Sequence, residues 1–208
     1  MSGPINPICY SKGARFNCRK STTDNYETAA WAVEALINFI RTVLLMTDLE
    51  LGTIWDPCCG RGAIVTELCR LLPRNRIIAS DIREVKTIVS RAEYTMGVDM
   101  FLVDPLYIAG AKTAILNPPF SLADEMVIKL KELGFQNIFI FQRSQYSEGD
   151  KRYYALFEKF PEDADCDFIH RVSLEKEGQA RLITSGMMTF SWFVWLENKH
   201  WEGTRLFR

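Results

Sequence analysis

The chain has 208 residues, of which 48% are hydrophobic and 25% charged, and its formal net charge is −1. This length and apolar content suit one domain with a well-filled core, and no second domain is needed. The longest apolar stretch near the C-terminus, Met187 to Leu196, is too short to cross a bilayer, and no charged-then-apolar leader precedes Pro4, so we expect a cytoplasmic protein.

The six cysteines and two histidines do not indicate a metal site or a nucleophilic triad. No two cysteines have the Cys-x-x-Cys spacing, and neither His170 nor His200 has a neighbouring Ser or Cys. Cys58 and Cys59 lie at a strand end inside a glycine turn, where we expect them to pack as small apolar groups. The composition favours a reducing compartment and no bound metal.

The first 23 residues are predicted to form a basic arm ahead of a single domain, residues 24–208. Four cations precede the first acid of the chain: Lys12, Arg15, Arg19 and Lys20. Tyr10 and Phe16 are interleaved with these cations, a pattern suited to following a phosphate backbone and stacking on bases. A merely solvated terminus is the alternative interpretation.

Beyond the arm, helical and strand patterns alternate. A first helix is predicted from apolar residues at i, i+3, i+4, i+7 and i+8, namely Leu36, Phe39, Ile40, Val43 and Leu44. Seven strands are predicted, near 53–57, 76–81, 99–103, 113–117, 137–141, 167–172 and 187–196. Ser121 and Asp124 resemble a capping box that opens a helix near residue 122. The alternation predicts an α/β fold with a doubly wound parallel sheet.

A glycine turn follows the first predicted strand, in Asp56-Pro57-Cys58-Cys59-Gly60-Arg61-Gly62. Gly60 and Gly62 permit close approach of a nucleotide-like ligand, and a helix predicted over Ala63 to Leu72 points its N-terminus at that ligand. The next strand ends in Asp81, about 20 residues after the glycines, the separation at which a carboxylate binds ribose hydroxyls. A dinucleotide motif is disfavoured because position 65 is Val, and the Gly-Lys-Ser/Thr of a phosphate loop is absent.

The tetrapeptide Asn117-Pro118-Pro119-Phe120 comes directly after another apolar run, where open α/β sheets place their chemistry. The Asn117 side chain and a backbone carbonyl offer two acceptors, and two prolines fix the turn and donate nothing. Two acceptors that bind both hydrogens of a planar NH2 group localise its lone pair, while Phe120 stacks on the attached ring. The turn thus suits activation of the exocyclic amine of a base.

Together the glycine turn, Asp81 and Asn-Pro-Pro-Phe resemble the motifs of class I S-adenosylmethionine-dependent amino-methyltransferases. The chain looks most similar to the small phage-type DNA adenine N6-methyltransferases, since Asp24-Asn25-Tyr26-Glu27-Thr28 is similar to their upstream cofactor motif. That motif is more often Tyr-Pro-Thr-Pro, from which Glu27 and Ala29 depart. The resemblance covers residues 24–196. It implies a Rossmann-like fold of seven strands, with the last inserted antiparallel beside the fifth.

The resemblance also implies a role for each matching residue. The cofactor S-adenosylmethionine would contact Asp56, Pro57, Gly60 and Gly62 with its methionine part, Asp81 with its ribose, and Tyr26 and Thr28 at the far wall. The family places an acid followed directly by Phe at the cofactor adenine, whereas here Met100 separates Asp99 from Phe101, and both are candidates. A flipped adenine would stack on Phe120 and bind the Asn117 side chain and the Pro118 carbonyl, then attack the methyl group directly.

No separate target-recognition domain is expected, so base choice is assigned to two loops, 143–152 and 173–186. Arg143 and Arg152 are predicted to contact phosphates or guanine edges, although a solvated loop is the alternative. Three functions stay open: a DNA adenine methyltransferase, a methyltransferase acting on RNA bases or on cytosine N4, and a non-catalytic binder of cofactor or nucleic acid.

Overall fold

The computed structural model describes residues 26–85, 91–108, 110–169, 172, 175–176 and 189–197. The predicted basic arm, with Lys12, Arg15, Arg19 and Lys20, and most of the predicted loop 173–186 lie outside these residues.

The strands are β1 (Tyr26–Glu27), β2 (Thr53–Asp56), β3 (Ile77–Asp81), β4 (Glu93–Met96), β5 (Ala111–Leu116), β6 (Asn137–Arg143), β7 (Ala164–Asp167), β8 (Glu175–Lys176) and β9 (Phe190–Leu196). The helices are α1 (Ala30–Thr42), α2 (Asp48–Leu51), α3 (Ala63–Leu71), α4 (Ala123–Glu132) and α5 (Asp150–Arg152), which continues as a π-helical turn over Tyr153–Phe157.

Seven strands form one sheet in the order β4-β3-β2-β5-β6-β9-β7. Strands β2 to β6 pair in parallel, and β9 pairs antiparallel with both β6 and β7. Every residue of β9 is buried. The predicted α/β sheet and its antiparallel last strand beside the fifth are confirmed. The short strands β1 and β8 form a separate antiparallel ribbon.

Two of the seven predicted strands are wrong in position. Residues 99–103 are a turn rather than a strand: the Asp99 carboxylate accepts from the Phe101 backbone N–H at 2.9 Å, a local bond that competes with sheet pairing. The strand that fills this place in the sheet is β4, at its edge. The strand predicted at 167–172 runs instead over β7, and Phe168 and Ile169 follow it outside the sheet.

Helix α1 forms as predicted, but its buried stripe is different. The buried side chains are Ala32, Val33, Leu36, Ile37 and Ile40. Of the predicted stripe, Phe39 is half-buried and Val43 is 54% exposed. The helix ends at Thr42, and Val43 is its C-cap. Leu44 returns to the core from the following turn.

The predicted capping box of α4 does not form. Leu122 occupies the N-cap position of α4, and no side chain caps the helix there. Asp124 instead forms an ion pair with Arg152, with 2.9 Å between Oδ1 and Nε. Within the ranges described above, no helix is long and apolar enough to span a membrane.

The sheet has a core on each face because side chains alternate along its strands. In β6, Phe139 and Phe141 pack with α1 and α3, whereas Ile138 and Ile140 pack with α4. Helices on both faces confirm the doubly wound arrangement. Since β2, β3, β5 and β6 are parallel, their carboxyl ends meet at one edge of the sheet, where Asp56, Asp81 and the turn after β5 lie.

Replacement of Leu36 by Ala tests the assignment of the buried face of α1. Leu36 is fully buried in the core shared with α3, so its truncation should lower the free energy of unfolding by about 2–5 kcal/mol. Urea unfolding measures this change. The matched control is Leu49→Ala, at a side chain that is 88% exposed in α2, which should change stability by less than about 0.5 kcal/mol. Equal losses in the two variants would contradict the assignment.

Candidate functional site

The turn Asn117 to Phe120 directly follows β5, and most of the donors that hold it come from other segments. Pro118 and Pro119 have no N–H, so this turn cannot be fixed by its own backbone donors. Its three successive carbonyls each accept a hydrogen bond: Asn117 O from Cys58 Sγ at 3.4 Å, Pro118 O from Gln142 Nε2 at 2.9 Å, and Pro119 O from the Leu122 N–H at 2.9 Å. The position of the turn therefore depends on the glycine turn after β2, on β6 and on the N-cap of α4 together.

The Asn117 side chain is oriented by two acceptors that precede α1. Its Nδ2 donates to the Tyr26 carbonyl at 2.9 Å and to Thr28 Oγ1 at 3.1 Å. A flipped amide would face the Tyr26 carbonyl with its own oxygen and lose that bond, because a carbonyl cannot donate. The side-chain oxygen Oδ1 is thereby directed away from them, as an acceptor. Tyr26 and Thr28, predicted for the far wall of a cofactor site, thus lie at the Asn117 turn.

Phe120 lies among aromatic rings and one cation. Its ring centroid is 6.1 Å from that of Tyr26, with 26° between the planes, and 6.1 Å from that of Phe190. The guanidinium carbon of Arg143 lies 4.4 Å from the same centroid, over the ring. The structure therefore brings together a residue predicted to stack on a base and one predicted to contact nucleic acid. Arg143 is exposed at the end of β6.

The glycine turn has the backbone geometry that its sequence indicates. Gly60 has a φ of 52° and Gly62 a φ of 87°, in the left-handed region that favours glycine. Gly62 is the N-cap of α3, which has no side-chain cap and no acidic residue in its first turn. Tyr94 on β4 donates from its hydroxyl to the Gly60 carbonyl at 3.0 Å. The turn thus presents an uncapped helix N-terminus at the carboxyl edge of the sheet.

Asp81 is buried and holds the glycine turn. One carboxylate oxygen accepts from the Gly60 N–H at 2.9 Å, and the other accepts from the Arg83 N–H at 2.8 Å. The Arg83 guanidinium adds bonds from Nε at 3.0 Å and Nη2 at 3.1 Å. These four hydrogen bonds use all of the about four acceptor sites of a carboxylate, so a ribose hydroxyl would have to replace an Arg83 donor. Asp81 is fixed in orientation, and its ribose contact stays a prediction.

Asp56, at the end of β2, is 1% exposed. Its Oδ1 accepts from the Cys58 N–H at 3.2 Å. Burial raises the pKa of Asp56 well above its ordinary value, and the nearby charge of Asp81 raises it further. Pro57, the next residue in the turn, is buried as well. The site thus contains a carboxyl group whose ionisation is opposed by its surroundings.

The two cysteines of the turn have different surroundings. Cys59 is buried in the core, as expected for a small apolar group. Cys58 is half-buried and donates to the Asn117 carbonyl. Burial is the main cause that raises the pKa of both thiols, so both stay protonated at neutral pH. A protonated Cys58 is the form that can donate to the turn.

The loop after β4 places Asp99 and Phe101 at the same edge as Asp81. The Val98 N–H donates to the Asp81 carbonyl at 3.1 Å, which ties the start of this loop to β3. Asp99 and Phe101 are both half-buried, and Phe101 packs against the core on the α4 face. Both predicted adenine contacts therefore lie near the end of β3, and the local bond between them fixes their spacing.

Arg152, predicted to contact nucleic acid, is engaged within the protein. Besides its ion pair with Asp124, its Nη1 donates to the Tyr146 carbonyl at 2.8 Å, and its guanidinium carbon lies 4.5 Å from the Tyr146 ring centroid. These contacts tie the segment after β6 to α4. The nucleic-acid role of Arg152 stays a prediction, whereas its intramolecular role is evident. The described residues contain no cluster of His, Cys, Asp or Glu that could hold a metal ion.

Two contributors to the site were not foreseen from the sequence. Arg83 fixes Asp81, and Gln142 holds Pro118. A signal for Gln142 is present: it is the polar residue that follows the apolar run Ile138 to Phe141, on the strand next to β5. A buried amide at such a position requires a partner. Nothing in the local sequence identifies that partner as a carbonyl 24 residues away.

Asp56→Asn tests the electrostatic environment of this site. A raised pKa in the folded state means that the stability contributed by the protonated carboxyl is present at low pH and is lost as pH rises through that pKa. Asn does not ionise and can still accept from the Cys58 N–H. The variant should therefore have a higher melting temperature than the wild type at pH 8, and a smaller advantage at pH 5.

The chain offers a matched control for that variant. Asp104 also precedes a proline, and its Oδ1 accepts from the N–H two residues on, at 2.8 Å from Leu106 N, but Asp104 is exposed. Asp104→Asn should leave the melting temperature nearly unchanged at both pH values. A lower melting temperature for Asp56→Asn than for the wild type at pH 8 would contradict the assigned cause.

No family model and no curated protein matches this sequence. Solved structures of similar fold are known. The type IIG restriction endonuclease BpuSI matches with a TM-score of 0.59 and 15% identity over 88% of this chain, which spans only 26% of the BpuSI chain. The delta-N METTL16 MTase domain matches with a TM-score of 0.52 and 12% identity, over 80% of this chain and 82% of that one. A protein of Thermoplasma acidophilum, 1320, matches with a TM-score of 0.52 and 16% identity, over 80% and 88%. The chain therefore has a Rossmann-like methyltransferase fold.

Proposed function

We propose that this protein transfers a methyl group from S-adenosylmethionine to the exocyclic N6 amine of adenine in DNA. The observation that carries the proposal is the orientation of the Asn117 amide by Tyr26 and Thr28, which leaves Oδ1 as an acceptor. A turn with a purely structural role does not require the Asn117 side-chain oxygen to be fixed in one direction. The sequence resemblance to amino-methyltransferases and the fold of the solved neighbours support the same reaction class.

The residues present fit S-adenosylmethionine. Gly60 and Gly62 carry no side chain that would block a ligand, and the uncapped N-terminus of α3 offers N–H groups to a carboxylate. In the proposal the methionine part lies along this turn with Asp56 and Pro57, and Asp81 accepts ribose hydroxyls in place of the Arg83 guanidinium donors. Asp99 and Phe101 contact the cofactor adenine, and Tyr26 and Thr28 form the far wall. When bound, this cofactor supplies an electrophilic methyl group.

The target base would be activated by acceptors rather than by a strong base. Asn117 Oδ1 and the Pro118 carbonyl accept the two hydrogens of the amine. These two hydrogen bonds localise the lone pair of the nitrogen and direct it towards the methyl group to be transferred. Phe120 stacks on the base, and Pro119 keeps the turn rigid. The amine becomes acidic once it carries the methyl group, so its proton can leave to solvent. Catalysis then rests on orientation and electrostatics.

Arg143 supports a nucleic-acid substrate. Its guanidinium covers the Phe120 ring, and an exposed cation–π contact contributes only about 0.5–1 kcal/mol, so an incoming base can displace it at small cost. The displaced guanidinium is then beside the flipped nucleotide, where a phosphate can bind it. DNA is preferred as the target because the sequence most resembles DNA adenine methyltransferases and because one solved neighbour is a restriction endonuclease.

Tritium transfer from labelled S-adenosylmethionine to unmodified double-stranded DNA tests the proposal. The wild type should form N6-methyladenine, identified by mass, and Asn117→Ala should reduce the rate at least about 100-fold because one positioned acceptor is lost. The control is Asn38→Ala, at an exposed side chain of α1, which should keep the wild-type rate. Label found only in RNA or in N4-methylcytosine would replace adenine in DNA as the target. Cofactor binding without transfer to any nucleic acid would indicate a non-catalytic binder.

Arg143→Gln tests the proposed phosphate contact. The variant should bind DNA more weakly, and the slope of log K against log[salt] should become shallower by about 0.9, the value for one phosphate. Lys112→Gln makes the same change of charge at an exposed residue near the start of β5, at the end of the strand opposite to Asn117, and should leave both quantities near the wild-type values. Fluorescence anisotropy at several salt concentrations measures both. An unchanged slope in Arg143→Gln would exclude the contact.

A further inference from the structure

Gln142 is a polar side chain in an otherwise apolar position. It lies near the end of β6, an interior strand between β5 and β9, and is 2% exposed. Its neighbours on the same face of the strand, Ile138 and Ile140, are core residues. Burying an amide is unfavourable unless its hydrogen bonds are made, and Gln142 Nε2 makes one to the Pro118 carbonyl at 2.9 Å.

The Pro118 carbonyl is the second acceptor that the proposed reaction needs. Since Pro118 and Pro119 have no N–H, the orientation of this carbonyl depends on donors outside the turn. A carbonyl oxygen has two lone pairs. Gln142 uses one of them and fixes the plane of the group, which leaves the other lone pair for a further donor.

We propose that Gln142 is a positioning residue, which holds the Pro118 carbonyl so that its second lone pair accepts a hydrogen of the target amine. This inference rests on the proposed methyl transfer. The buried amide cannot exchange its partner for bulk water, so it holds the acceptor more rigidly than a solvated group would. Asn117 is oriented from the segment before α1 and Pro118 from β6, so different segments hold the two acceptors.

If Gln142 only stabilised the fold, its loss would affect methyl transfer no more than the loss of another buried amide on β6. Asn137 is such an amide and allows the positioning role to be distinguished from a structural one. Asn137 is also a buried amide on β6, and its Nδ2 donates to Thr113 Oγ1 at 3.2 Å. It lies five residues from Gln142 at the opposite end of the strand, roughly 16 Å away at the usual rise per residue. Loss of either amide leaves a buried partner without its donor, but only Gln142 contacts the proposed catalytic turn.

The experiment compares Gln142→Leu and Gln142→Met with Asn137→Leu in the full chain. For each, the single-turnover rate of methyl transfer to DNA is measured with saturating S-adenosylmethionine, together with the dissociation constants of cofactor and DNA and the melting temperature. Both Gln142 variants should lose about 10- to 100-fold in single-turnover rate, with both dissociation constants within about threefold of the wild type. Asn137→Leu should show a similar loss of melting temperature and less than about threefold loss of rate.

The outcomes separate this inference from the proposed function. If the wild type transfers methyl groups and the Gln142 variants keep its rate, or if Asn137→Leu loses as much rate as they do, the positioning role is overturned and the proposed function stands. A rate loss that comes with an equal weakening of cofactor binding would also overturn it, because the defect would then lie in the cofactor site. If the wild type transfers no methyl group to DNA or RNA, the proposed function itself fails.

Discussion

The candidate site depends on the turn Asn117 to Phe120, in which two of the four residues have no backbone N–H. Two successive prolines remove the backbone donors of residues 118 and 119, so the turn depends on other groups that donate to its carbonyls or accept from its Asn117 side chain. These partners come from the glycine turn after β2, from β6, from the N-cap of α4 and from the segment before α1. Because the turn has few hydrogen bonds of its own, its position depends on the rest of the fold. A substitution that shifts one of these segments also shifts Asn117 Oδ1 and the Pro118 carbonyl.

Much of the fold follows from local pattern. The strands β2, β3, β5 and β6 are mostly buried, and the glycine turn and Asn117 directly follow two of them, so strand ends and candidate site residues could be predicted together. The pattern fails where burial is incomplete. Strand β4 is a four-residue edge strand with polar residues, whereas the apolar residues after Asp99 resemble a strand but follow a side chain that bonds its own backbone.

The parts of the site that escaped prediction are contacts between residues distant in the sequence. Arg83 on Asp81 and Gln142 on Pro118 each satisfy a buried acceptor, and neither pairing leaves a periodic or spacing signal. The direction of the Asn117 amide is a similar case, since it is set by residues about 90 positions earlier. Sequence patterns identify which groups can perform chemistry, but the orientation of those groups comes from three-dimensional packing.

The placement of β9 has a consequence for how the chain folds. This strand is the last of the described strands, yet it lies between β6 and β7 and pairs with β6 over seven residues. Until β9 is synthesised, the edge of β6 that it will cover has unpaired backbone N–H and C=O groups. Because β6 is rich in phenylalanine and isoleucine, this open edge is a template for pairing with another chain. Pairing of β9 with β6 closes that edge and brings Phe190 beside Phe120. The same folding event therefore protects the chain against aggregation and completes the group of aromatic rings around Phe120.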